Sequence, residues 1–218
     1  MRLDDAIRRA VSEMPFPGAG AGRVERKNYT EALSQRISEA VAGCLREAGL
    51  HRVVAPRGRD KQFMGGYGTK GVDVYLADEK HGLLLSSGTK GILYDVPKNL
   101  KNRYRDMVME ALELHKRFPY AVCGHLLFLG AAEARRPSQA FGTVIHEAVA
   151  LLTAISGRVR PDEAPEVYEV MGIVVLDPGD PGSVDPSPED VPPDLRAAGY
   201  CERLGAAFRR RNPFFRPG

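Results

Sequence analysis

Cysteine is scarce: three in 218 residues, Cys44, Cys123 and Cys201, far apart and each in an apolar setting. Without a CxxC pair, a cysteine-built zinc site is excluded, and the three read as small buried hydrophobes in a reducing compartment. No apolar run approaches the length of a membrane span, and residues 1–20 lack the apolar core of a signal peptide; both point to a cytoplasmic protein with no membrane contact. Charge of one sign is scarce as well. A net charge of +3 is too small to imply nucleic-acid binding in bulk, so any such claim must rest on where the charges sit. What is present is folding material. With 43% hydrophobic and 27% charged residues, the chain can bury the core of one substantial domain with appendages.

Periodicity organises the chain into an N-terminal helix and linker (residues 1–22) and a domain over 23–218. Residues 2–13 suit a short amphipathic helix, and PFPGAGAG (15–22) opposes both helix and strand. Apolar spacing predicts a helix over 28–48, stopped by Gly49. Two short strands follow near 72–76 and 82–87, joined by the polar turn ADEKH. A helix over 99–117 ends before Pro119. The apolar run 120–129 reads as a buried central strand. Further elements are a helix near 138–155, a strand over 166–176, a structureless Pro- and acid-rich loop over 177–193, and a last helix over 194–210. The order predicts an α/β fold with a mixed central β-sheet flanked by helices.

Asp73 stands out within GVDVYL, because a mid-strand carboxylate is costly to bury without a partner or a metal; the alternative is an edge strand whose second face meets water. Lys90 follows on the next strand, in LLLSSGTK. Such a pair suits phosphodiester hydrolysis. A carboxylate-held Mg²⁺ acidifies water and neutralises phosphate charge, and a lysine orients the nucleophile and stabilises the transition state. The 99–117 helix adds Asp106, Glu110 and Glu113 at helical spacings, as candidate second ligands or as a solvated face. Lys98, Asn99, Lys101, Asn102, Arg103 and Arg105 cluster at its start, where phosphate-binding types gather. Asn28 and Glu31 have N-cap and N3 spacing, so a capping box accounts for Glu31. His146-Glu147 lacks the second histidine of a zinc-protease motif, since Ala150 stands there. The glycines at 65, 66, 68 and 71 read as a flexible approach to the Asp73 strand, with Lys70 facing phosphate. His115 and His125 read as core-edge residues.

Taken together, GTKGVDVYL, LLLSSGTKG, KNLKNRYRDMVMEALELHKRFPYAV and RRRNP resemble the PD-(D/E)xK superfamily of bacterial restriction-endonuclease-like nucleases, over roughly residues 28–176. The resemblance implies a restriction-endonuclease-like core and Mg²⁺-dependent cleavage of double-stranded DNA, in restriction or phage defence, by a homodimer. It makes Asp73 a metal ligand and Lys90 the catalytic lysine. Gly88 departs from the pattern, which places an acid two residues before the lysine. Glu110 is the first candidate replacement and Asp106 the second; Ser87 would serve if a bulge shifted the register. With none of these, the implied protein is a catalytically impaired DNA-binding or regulatory subunit that keeps the fold.

Overall fold

The computed structural model describes residues 2–18, 20–58 and 60–215. Ala19 of the expected linker and residues 216–218 of the tail lie outside them. In chain order the elements are α1 (Leu3–Ser12), α2 (Arg23–Glu47), β1 (Lys61–Met64), β2 (Thr69–Val72), β3 (Val74–Asp78), β4 (Gly82–Ile92) and α3 (Val96–Arg117). Then come β5 (Val122–Gly130), α4 (Ala131–Ala134), β6 (Pro137–Ser138), β7 (Gly142–Thr143), α5 (Val144–Thr153), β8 (Val170–Asp177), β9 (Asp180–Asp185) and α6 (Tyr200–Arg211).

The main sheet has five strands in the order β3-β4-β5-β8-β9. Its centre, β4-β5-β8, is parallel and both edge pairings are antiparallel. β5 is buried at every position, as its unbroken apolar run requires of a strand covered on both faces. One face packs on α1, α2 and α6, the other on α3 and α5. On α2, Leu33, Ile37, Val41 and Leu45 recur every four residues and are fully buried, the one-stripe pattern of a helix lying on a sheet. The fold is therefore α/β, with a mixed sheet between helical layers.

Several expectations need correction. α2 begins at Arg23 rather than 28, and the Glu25 carboxylate accepts the Gly22 N–H at 2.9 Å. Glu31 consequently lies in mid-helix, where it pairs with Lys27 at 3.6 Å, and forms no capping box with Asn28. The expected strand over 72–76 breaks at Asp73, which lies between β2 and β3. The preceding segment is an unexpected hairpin, β1-β2. Its glycine-rich tip is not a flexible approach. Gly66 N–H donates to the Glu113 carbonyl at 2.9 Å, and the Glu113 carboxylate accepts from Tyr67 N–H at 2.7 Å and Gly68 N–H at 3.2 Å. The segment 177–193 is not wholly structureless, because β9 adds an edge strand in which Val184 is buried. Proline is tolerated there because Pro181 stands on an edge strand. The 138–155 helix shortens to α5, preceded by the β6-β7 hairpin.

His115 and His125 are 2% and 0% exposed, well inside the core rather than at its edge. Around His115 the fold closes with a buried ion cluster. Glu169 receives Arg158 at 2.7 Å, Arg211 at 3.1 Å and the Cys123 N–H at 2.7 Å. His115 donates from Nδ1 to the Pro165 carbonyl at 2.8 Å and from Nε2 to Glu169 at 3.2 Å, so both ring nitrogens carry protons. Burial opposes that charge, but the Cys123 thiol and the Glu169 carboxylate outweigh it and push the His115 pKa up to about 10. A folded-state pKa above the ordinary imidazole value of about 6.5 means this stabilisation is complete below that pH and is lost as pH rises through the folded value. Urea-unfolding free energy is expected to fall from about pH 7 to about pH 10, with a flatter slope in His115→Gln. A wild-type profile as flat as the variant's would contradict the assignment.

Candidate active site

The distal half of β4 carries the site. β4 runs past its expected end at 87 to Ile92, so Gly88 and Lys90 lie within a strand whose parallel register with β5 is unbroken from Leu85 to Ile92. Ser87 faces away from Gly88 and Lys90, its hydroxyl 2.8 Å from the Tyr200 hydroxyl between β4 and α6. The register shift that would substitute Ser87 for the acid is absent.

Asp73 turns toward this strand at the bend between β2 and β3. Its Oδ2 accepts the Thr89 N–H at 2.7 Å and lies 3.8 Å from Lys90 Nζ. Burial raises its pKa, opposed by Lys90 and the Thr89 N–H and reinforced by the charges of Glu110 and Asp60. From the other side, α3 delivers Glu110, which is 6% exposed. Burial alone would raise the pKa of Glu110; His125, Lys90 and Lys70 outweigh it and hold the carboxyl below its usual range. His125 Nδ1 is 3.7 Å from Glu110 Oε1, and neither ring nitrogen has a hydrogen-bond partner among the described residues.

The glycine at 88 follows from this packing. A Cβ there would meet Glu110 Oε1 at 2.7 Å and His125 Nδ1 closer still. A carboxylate from α3 thus occupies the space that a side chain at 88 would take.

Asp73, Thr89 and Lys90 open into a cavity of about 700 Å³, whose far wall is α2 through Thr30, Glu31, Ser34, Gln35 and Ser38, with Asp60 and Arg103 at its sides. Of the expected phosphate contacts, Arg103 lines this cavity and Asn99 lines its neighbour. Lys70 acts on Glu110. Lys101 turns toward α5, 3.7 Å from Glu147, while Lys98 and Asn102 are exposed. Asp106 is also at the surface, paired with Arg103 at 3.0 Å. His146 and Glu147 are structural: Thr143 Oγ1 caps α5 at His146 N–H, and Glu147 accepts Ser138 Oγ at 2.8 Å.

Sequence reasoning missed Asp60 and Thr89 as neighbours of the site, and set Glu31 aside as a cap and His125 as a core-edge residue. Two signals were available: a histidine inside an otherwise apolar central strand, and the polar row Thr30-Ser34-Ser38 running directly beside the apolar stripe of α2.

Oxygen donors suit Mg²⁺, which keeps several waters and takes one or two carboxylates; Asp73 and Glu110 fit that demand. His115, Cys123 and Glu169 also lie within 4.8 Å of one another. There, however, Glu169 already serves two arginines and His115 uses both nitrogens as donors, which is an ion-pair cluster rather than a metal site. A separate cavity of about 540 Å³ at the opposite end of β4 is walled by Leu83, Leu84, Phe118, Tyr120 and Phe215 and has no carboxylate in its lining.

Compared with protein-family models, curated proteins and solved structures, the chain finds no match.

Two outcomes follow from the packing and the charge. Gly88→Ala should destabilise the fold by about 1–3 kcal/mol through overpacking, measured by urea unfolding; an unchanged midpoint would refute the close approach. Asp73 has a raised folded pKa, so its stabilising contribution is lost as pH rises and it destabilises the fold when ionised. Asp73→Asn should therefore melt higher than wild type without metal, by about 2–4 °C per kcal/mol relieved. A lower melting temperature would count against buried repulsion at this position.

Proposed function

We propose that the protein is a Mg²⁺-dependent DNA endonuclease with a restriction-endonuclease-like core, acting in restriction or phage defence. The observation that carries this reading is the convergence of Asp73, Glu110 and Lys90 at one end of β4, with the α3 carboxylate filling the position vacated at Gly88. Two carboxylates of opposite pKa displacement beside one lysine form an electrostatic environment suited to a divalent cation.

In this reading Asp73 and Glu110 hold the ion. When bound, it supplies an acidified water and neutralises charge on the phosphate. Lys90, 3.8 Å from Asp73 and 35% exposed, orients the attacking water and faces the charge that develops on phosphorus. The Thr89 N–H fixes the Asp73 carboxylate. Of the expected phosphate contacts, Arg103 lines the cavity of Asp73 and Lys90, and Asn99 the adjoining one, where they can meet the flanking backbone. Cutting both strands of a duplex suits a two-fold homodimer.

One observation favours a non-cleaving, DNA-binding relative instead. Glu110 is not among the residues that line the cavity shared by Asp73, Thr89 and Lys90, so an ion held in that cavity would have only Asp73 of the two carboxylates on its wall.

Plasmid-nicking assays with Mg²⁺ or Mn²⁺ decide between the two. The wild type should cleave, and Asp73→Ala, Glu110→Gln and Lys90→Ala should each lower the rate by roughly 10²–10⁴-fold. No nicking of any DNA, methylated or not, would favour the non-cleaving relative; full activity in Glu110→Gln would remove that residue from the site.

A further inference from the structure

We propose that the nucleic-acid strand engaged at Asp73 and Lys90 continues along a trench toward the start of α2, with Arg23, Lys27 and Arg103 on its phosphates. This rests on the nuclease reading above and names the substrate path at the same site.

The trench is continuous. A cavity of about 550 Å³ beside the start of α2 shares Thr30, Glu31, Gly91 and Arg103 with the cavity that holds Asp73 and Lys90. Its rim carries Arg23, Arg26 and Lys27.

The first of these cations stands where helix stability disfavours it. Arg23 is the first residue of α2, and Glu25 is the single acid of the first turn. A cation at the positive end of a helix is disfavoured, whereas an anion placed there is favoured. Lys27 has a partner in Glu31, but both side chains are about two-thirds exposed, at 70% and 64%, where such a pair contributes little. A phosphate backbone in the trench would meet these cations and the helix dipole together.

Two further polar groups along the trench have no hydrogen-bond partner among the described residues. Thr89 is 1% exposed, lines the deeper cavity, and its hydroxyl has no hydrogen-bond partner. The Tyr94 hydroxyl, in the second cavity, is likewise unpartnered. The Arg26 guanidinium lies 4.8 Å over the Tyr94 ring, which holds that cation at the rim.

The basic turn after Asp95 is largely turned elsewhere. Neither Lys98 nor Lys101 lines the trench, and Lys101 pairs with Glu147 on α5. The strand therefore follows α2 and Arg103 rather than Lys98 and Lys101.

The test is fluorescence anisotropy of the full chain with labelled single-stranded and duplex oligonucleotides, in EDTA so that no strand is cut. Arg23→Glu/Lys27→Glu should weaken binding at least tenfold on one or both oligonucleotides. It should also reduce the slope of log K against log salt by about 1.5. Lys98→Glu/Lys101→Glu should cost at least fivefold less. Arg23→Glu favours the helix start while Lys27→Glu faces Glu31 one turn on, so the circular-dichroism melt is measured alongside, and an unchanged melt separates lost binding from lost fold. Equal losses from the two pairs, or a larger loss from Lys98→Glu/Lys101→Glu, would overturn the trench. Failure of the wild type to bind either oligonucleotide would overturn both the trench and the nuclease reading. Trench-dependent binding without metal-dependent cleavage would support the trench and remove only the catalytic reading.

Discussion

The approach of α3 to β4 at Gly88 is the contact on which the rest of the site depends. A helix normally stands off a sheet by the length of its side chains, about 10 Å between layers. At Gly88 the strand offers no side chain, and the Glu110 carboxylate and the His125 ring fill the space. The same helix is held again one turn later. The Glu113 carbonyl and carboxylate take three N–H groups from the β1-β2 tip. A Cβ at Gly65 or Gly66 would run into Glu113 or Lys116, so the missing side chains in MGGYG let that tip sit directly on α3. The segment just before Asp73 is thereby fixed to the helix that brings Glu110.

This geometry sets up an electrostatic tension. Asp73 and Glu110 are both largely buried and act on each other through space, which raises Asp73; Glu110 is pulled the other way by His125, Lys90 and Lys70. A buried carboxylate that keeps its charge needs compensating partners, and here they come from three different elements. The Glu169 cluster contrasts with this arrangement. There one carboxylate is surrounded by two arginines, a doubly protonated histidine and a backbone N–H. In that cluster Arg158 Nε is buried without a hydrogen-bond partner among the described residues, whereas around Gly88 both ring nitrogens of His125 and the Thr89 hydroxyl are. The two clusters thus differ along the sheet, a carboxylate held by several cations at one end and two carboxylates sharing fewer at the other.

Much of the fold was legible because it rests on local periodicity. The apolar run of β5, the four-residue spacing on α2 and the stop before Pro119 each report a regular element directly. β9 was hidden, since an edge strand with one buried valine and a proline carries almost no alternation. The start of α2 was misplaced because Asn28–Glu31 and Gly22–Glu25 both have capping-box spacing, and only the helix itself shows which is used. Asp73 and Lys90 were legible as a pair because their strands are neighbours in sequence. The carboxylate at Gly88 was legible only as a choice between Glu110, Asp106 and Ser87.

The amino-acid sequence alone determined the element types, the central strand and the candidate residues, because those depend on side chains a few positions apart. Only the tertiary structure decided which candidates meet. Asp106 and Glu110 are one helical turn apart on the same face, yet Asp106 stays at the surface with Arg103 while Glu110 reaches under Gly88. The difference lies in where α3 crosses β4, a property of the packed layers and the glycine that lets them close. No spacing along the chain contains that crossing point.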